Sequence, residues 1–182
     1  MLILGVDPGN AVTGYGIIEH KDRCCRLIDY GCFRTRSTFS SAQRLKKIYT
    51  ELMETIARYG PDEVAVEEAF YGNNVKTALK IGQVKGIVLL AAAKADLPVA
   101  EYAPREVKNS VVGSGAATKE QVQFMVRSIL RLKEMPQPYD ASDALAVALC
   151  HAHQMTIPQA PIRRKDPEVE RLLSRWKGKS RR

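Results

Sequence analysis

A chain of 182 residues has room for about one domain, large enough to bury a core without disulfides or a structural metal. Its 45% hydrophobic and 26% charged residues are ordinary for a globular protein and exclude a disordered chain. The apolar run of residues 87–93 lies between Lys85 and Lys94, and no run in the chain approaches the ~20 residues of a membrane span.

The opening Met1-Leu2-Ile3-Leu4-Gly5 has no basic n-region of the kind a secretion signal carries. A single-domain cytoplasmic protein with no membrane partner is therefore expected. Cys24, Cys25, Cys32 and Cys150 form no C-x-x-C pair, so they are read as reduced thiols. Cys150-His151-Ala152-His153 has a faint metal-cluster look, but neighbours one and two apart on a helix diverge. It is read as a buried thiol with two surface or helix-end histidines.

Most of the net charge of +8 sits at the end of the chain. Residues 157–182 carry nine basic side chains against Asp166, Glu168 and Glu170, a net +6. The body is nearly balanced, and the split predicts a domain over residues 1–156 followed by a basic tail. Such a tail contacts phosphates or is a solvated end. Val169, Leu172, Leu173 and Trp176 have helical spacing within residues 167–177, a segment that docks on the body or orders on a partner.

In chain order, residues 2–6 read as a strand ending at the Asp7-Pro8-Gly9 turn. Residues 13–19 and 25–35 read as two further strands, joined by a polar corner at residues 20–23. Leu45, Ile48, Leu52 and Ile56 mark a helix over residues 40–59, stopped by Gly60-Pro61. A strand follows at Glu63–Glu67, a helix at 75–95, a short strand at 98–102 and a short helix opened by Pro104. Thr118-x-x-Gln121 has capping-box form and opens a helix to about Leu132; Tyr139-Asp140 starts the last one, to about Met155. Three antiparallel strands followed by α-β-α-β-α describe an α/β layer fold with a mixed sheet. Ala78, Gly82 and Gly86 make a narrow stripe on the 75–95 helix. Its partner is either the sheet of the same chain or a second helix across a two-fold axis.

Four acids carry the chemistry. Asp7 and Glu67 each end a strand, where α/β folds place their ligands. Asp140 and Asp143 share one helix face, three residues apart. Asp140 alone reads as a helix-end charge, but Asp143 precedes the apolar Ala144-Leu145-Ala146-Val147-Ala148-Leu149 and needs a partner. Gathered at one rim, such acids require cations. Hard oxygen donors suit Mg²⁺ or Mn²⁺, and two ions about 3.5–4 Å apart hydrolyse phosphodiesters. Strand alternation places either Glu67 or Glu68 on the site face without saying which.

Several motifs together resemble the RuvC family of bacterial crossover-junction endodeoxyribonucleases, in order from about Leu2 to His153. They are Leu4-Gly5-Val6-Asp7-Pro8-Gly9, Thr13-Gly14-Tyr15-Gly16, Val66-Glu67-Glu68-Ala69-Phe70, Ala78-Leu79-Lys80-x-Gly82-Gln83, Val107-Lys108-x-x-Val111-Val112-Gly113 and Asp140-Ala141-Ser142-Asp143-Ala144-Leu145-Ala146. The resemblance implies a ribonuclease-H-like fold and a homodimer that nicks four-way (Holliday) DNA junctions symmetrically with Mg²⁺, two ions per site. It also implies work beside a branch-migration complex of RuvA and RuvB. It assigns the metal to Asp7, Glu67, Asp140 and Asp143, choosing Glu67 over Glu68. It matches Phe70 to an aromatic that contacts bases, and Lys108 and Lys119 to lysines near the scissile phosphate.

Two other functions compete. An ATP site of the actin and sugar-kinase type also opens with Asp-x-Gly, but only Gly113-Ser114-Gly115 is available as a further phosphate loop. A junction-binding protein that does not cut leaves the acid quartet without a task.

Overall fold

The computed structural model describes residues 1–68 and 75–156. Phe70 and the basic tail lie outside the described residues.

Alternation along the first strand, β1 (Leu2–Asp7), sets the layering: Ile3 and Gly5 face one side, Leu4 and Val6 the other, all buried. β1 lies at the centre of a five-stranded sheet. β2 (Val12–Lys21) pairs antiparallel to it and β3 (Cys24–Arg34) antiparallel to β2, while β4 (Glu63–Glu67) and β5 (Val99–Tyr102) add in parallel on the other side, giving the order β3-β2-β1-β4-β5. This is the expected mixed sheet. The hairpin of β2 and β3 is longer than the sequence indicated. His20 and Lys21 stay in the ladder, and the reversal is confined to Asp22 and Arg23, both with positive φ, the conformation that matches strand twist in a two-residue turn.

Helices α1 (Ser41–Tyr59) and α2 (Val75–Lys94) cover the Leu4 face, packing Ile48, Leu52, Val84 and Val88 against Val6, Ile17, Val64 and Val66. Ser40 and Gln43 cap α1 reciprocally and left-handed Gly60 ends it. On the other face lie α3 (Pro104–Val112), α4 (Lys119–Ile129) and α5 (Tyr139–Thr156), whose core includes Val107, Val122, Val126, Leu145 and Leu149. Thr118 and Gln121 form the expected capping box of α4. The helix ends before Leu132, because Leu130 turns into the core and Arg131 takes a positive φ.

α5 lies almost backbone-to-backbone on the strands. A side chain at Gly5 would strike the backbone of Ala144, and one at Gly14 that of Asp140. Only glycine lets the helix sink this far, and its first turn thereby stands above the ends of β1 and β2.

One sequence expectation needs correction, and one open alternative narrows. His151 is buried rather than superficial: its Nδ1 is 2.7 Å from the Tyr102 hydroxyl and its Nε2 2.8 Å from Glu63 Oε2. The α2 stripe does not pack on the chain's own sheet. α2 meets the sheet through Val84, Val88, Ala91 and Ala92, while a side chain at Gly82 or Gly86 would meet open space. All four cysteines are free thiols. Among the described residues no helix is long and apolar enough to cross a membrane.

Candidate active site

Parallel β1 and β4 end side by side, with Val6 opposite Val66 in register, which brings Asp7 and Glu67 together at the carboxyl edge of the sheet. α5 delivers Asp143 to the same place from above, and α4 contributes Lys119 from its first turn. Asp7, Glu67, Asp143, Lys108 and Lys119 line one cleft of about 260 Å³, floored by Pro104, Val107, Val122 and Ala146. Asp140 lies one helical turn before Asp143 and does not line the cleft, although its charge is felt at Asp7. Phe70 falls outside the described residues.

The acids oppose one another. Burial, then the charges of Asp143 and Asp140, push the Asp7 carboxyl up to about 7, against a hydrogen bond with Glu67 and the pull of Lys119. Burial, then the charge of Asp7 and of Asp143, push Glu67 up to about 8. Two carboxyls sharing a hydrogen bond in an apolar-walled cleft hold a proton that either would release in water. Asp143 finds the partner its position demanded: Lys119 Nζ is 3.0 Å from its Oδ2. Burial pulls the Lys119 ammonium down, but the contact with Asp143 and the fields of Asp7 and Asp140 outweigh it and raise it overall. Lys119 therefore stays charged at neutral pH.

The donor set fits a hard divalent cation, since the cleft offers carboxylate oxygens and neither thiol nor imidazole. Among the described residues no three His, Cys, Asp or Glu side chains already stand in a compact coordinating array.

The profile of the family described as "Crossover junction endodeoxyribonuclease RuvC" matches residues 3–151. The chain belongs to the RuvC family. A crossover junction endodeoxyribonuclease RuvC of Pelotomaculum thermopropionicum is 53% identical over 156 residues, 86% of this chain and 95% of that protein. One from Moorella thermoacetica is 50% identical over 169 residues, covering 93% and 98%. Among solved structures, Thermus thermophilus RuvC in complex with a Holliday junction substrate superposes with a TM-score of 0.80 at 38% identity, covering 85% of this chain and 94% of that one. The yeast mitochondrial Holliday junction resolvase Ydc2, at 10% identity and a TM-score of 0.61, shares the fold.

The mixed sheet with its flanking helices is the ribonuclease-H-like fold, and the protein is a metal-dependent nuclease that resolves four-way DNA junctions. An ATP-binding protein and a junction binder without nuclease activity are thereby set aside.

Sequence reasoning missed the hydrogen bond between Asp7 and Glu67 and the apolar floor of Pro104, Val107, Val122 and Ala146. Both depend on elements far apart in the chain.

Proposed function

We propose that Asp7, Glu67, Asp140 and Asp143 together hold two Mg²⁺ ions, with Mn²⁺ able to replace them, and that each site nicks one strand of a Holliday junction. When bound, the cations supply an activated water and neutralise charge on the phosphate and the leaving oxygen. The residues of the chain do the rest. Asp7 and Glu67 release the proton they share, which exchanges their mutual repulsion for attraction to the cations. Lys119, tethered to Asp143, offers a fixed positive charge to a non-bridging phosphate oxygen. Lys108, which lines the same cleft, adds a second positive charge for the strand, and Phe70 stacks on an unpaired base. The observation that carries this is the cleft itself: three carboxyls from β1, β4 and α5, one already paired with a lysine.

Paired nicks need two sites facing opposite strands, and the outer face of α2 supports a homodimer. Val75, Leu79 and Leu90 are 67%, 65% and 51% exposed, in line with Gly82 and Gly86, whose missing side chains would allow close helix approach. Residues 1–156 are then one nuclease domain acting in the cytoplasm, and the RuvA and RuvB branch-migration complex is the partner that brings it junctions.

A Mg²⁺ titration of four-way-junction cleavage with each acid replaced singly tests the quartet. Asp140→Asn is expected to lose activity as completely as Asp143→Asn; full activity in Asp140→Asn removes that residue from the set. Leu79→Glu is expected to sediment as a folded monomer that no longer makes paired nicks. A dimer of unchanged mass would place the interface elsewhere.

A further inference from the structure

The nuclease leaves two features unused. The first is an apolar hollow of about 440 Å³ between the end of α3 and the outer face of α4, lined by Val112, Phe124, Met125 and Met135 with Glu120 and Gln121 at its rim. Phe124 is 51% exposed there, although the Arg127 guanidinium stands 5.8 Å over its ring. The second is the stripe of Val169, Leu172, Leu173 and Trp176 in the basic tail, at positions i, i+3, i+4 and i+7. We propose that residues 167–177 of the same chain dock in this hollow, with Trp176 and the two leucines inserted and the basic side chains outward.

Three observations select this occupant. The first is proximity. α5 ends at Thr156, and just before it His153 is bonded to Ser110 (Nδ1 to Oγ, 3.1 Å), two residues from Val112 in the hollow. α5 therefore ends near the groove, and ten residues, 157 to 166, span roughly 30 Å when extended.

The second is effective concentration. A tether this short holds its cargo at about millimolar concentration, so contacts too weak to retain a free peptide suffice. The third is chemistry. The hollow offers apolar side chains of the flexible, aromatic-binding kind, two methionines and a phenylalanine. Glu120 at its rim, kept ionised by hydrogen bonds to its own backbone and to Thr118, faces a segment bearing Arg171, Arg175 and Lys177.

Glu120 and Gln121 follow Lys119 directly on α4, so a docked tail carries its positive charge to the border of the cleft. The docking itself does not rest on the assignment of the four acids.

Trp176 is the chain's single tryptophan, so fluorescence of the full-length protein reports the tail alone. Docking predicts a blue-shifted emission poorly quenched by acrylamide, independent of protein concentration. Phe124→Asp is expected to shift it to the red and restore quenching. Leu172→Asp, which lies in the tail and leaves the folded body untouched, is expected to do the same, and circular dichroism checks that Phe124→Asp remains folded. Solvated emission in the unaltered chain overturns the proposal, as does emission indifferent to both substitutions. A blue shift lost on dilution overturns it in favour of contact between copies. One that appears only when a four-way DNA junction is added overturns it in favour of nucleic acid.

Discussion

The two ends of β4 each carry a glutamate, and the two are held in opposite ways. Glu63, at the start of the strand, accepts from a buried histidine that is also bonded to Tyr102, so both ring nitrogens of His151 have a partner. Glu67, at the other end, faces Asp7 and Asp143 across a cleft, and its carboxyl is raised to about 8 by burial and by those like charges. One network ties α5 to β4 and β5 and stabilises the fold. The other is destabilising until a cation arrives. A single strand thus separates the part of the molecule that holds it together from the part that works, because repulsion tolerated at the site is offset by satisfied hydrogen bonds at its far end.

The contrast can be broken at either end. Asp7→Asn is expected to reduce junction cleavage by roughly 10³-fold or more, the scale of losing a principal charge-stabilising group, while junction binding in a gel shift persists. Loss of binding and cutting together would mean that Asp7 shapes the DNA surface and not only the chemistry. At the other end, His151→Ala leaves the Tyr102 hydroxyl and Glu63 without their partner in a buried setting. About 2 kcal/mol of stability should go, read as a lower denaturation midpoint, with cleavage per folded molecule nearly unchanged. An equal loss of activity per folded molecule would show that the network also sets the position of the α5 acids.

The smallest effect concerns pH. Asp7 and Glu67 ionise at about 7 and about 8 in the folded chain, against ordinary values of 3.8 and 4.5. Between those ranges the native state binds more protons than the unfolded one, so the stability these groups confer is full below about pH 4 and falls as pH rises toward 8. Without divalent ions the melting temperature should therefore be lower near pH 8 than near pH 5 on account of this pair, and Asp7→Asn should flatten the trend. Cations replace the shared proton, so Mg²⁺ should raise the melting temperature more at pH 8 than at pH 5. Equal gains at both would contradict the paired carboxyls.

The elements and the candidate acids were legible along the chain because local rules place them. Strand alternation marked Asp7 and Glu67 as strand ends, the Thr118–Gln121 box opened α4 one residue before Lys119, and helical spacing put Asp140 and Asp143 on one face. His151 was misjudged because a histidine's burial is decided by what lies across from it. Here that is Glu63, 88 positions away.

Sequence by itself determined the mixed sheet, the family and the residue types of the site. Tertiary structure alone decided that Gly5 and Gly14 let α5 settle onto the strands, and that Asp143 meets Lys119 while Asp140 stands back. It also decided that the small residues of α2 face outward. Periodicity and capping act over a few residues and are written locally. Distances between charges depend on how separate elements pack, and only the assembled core fixes those.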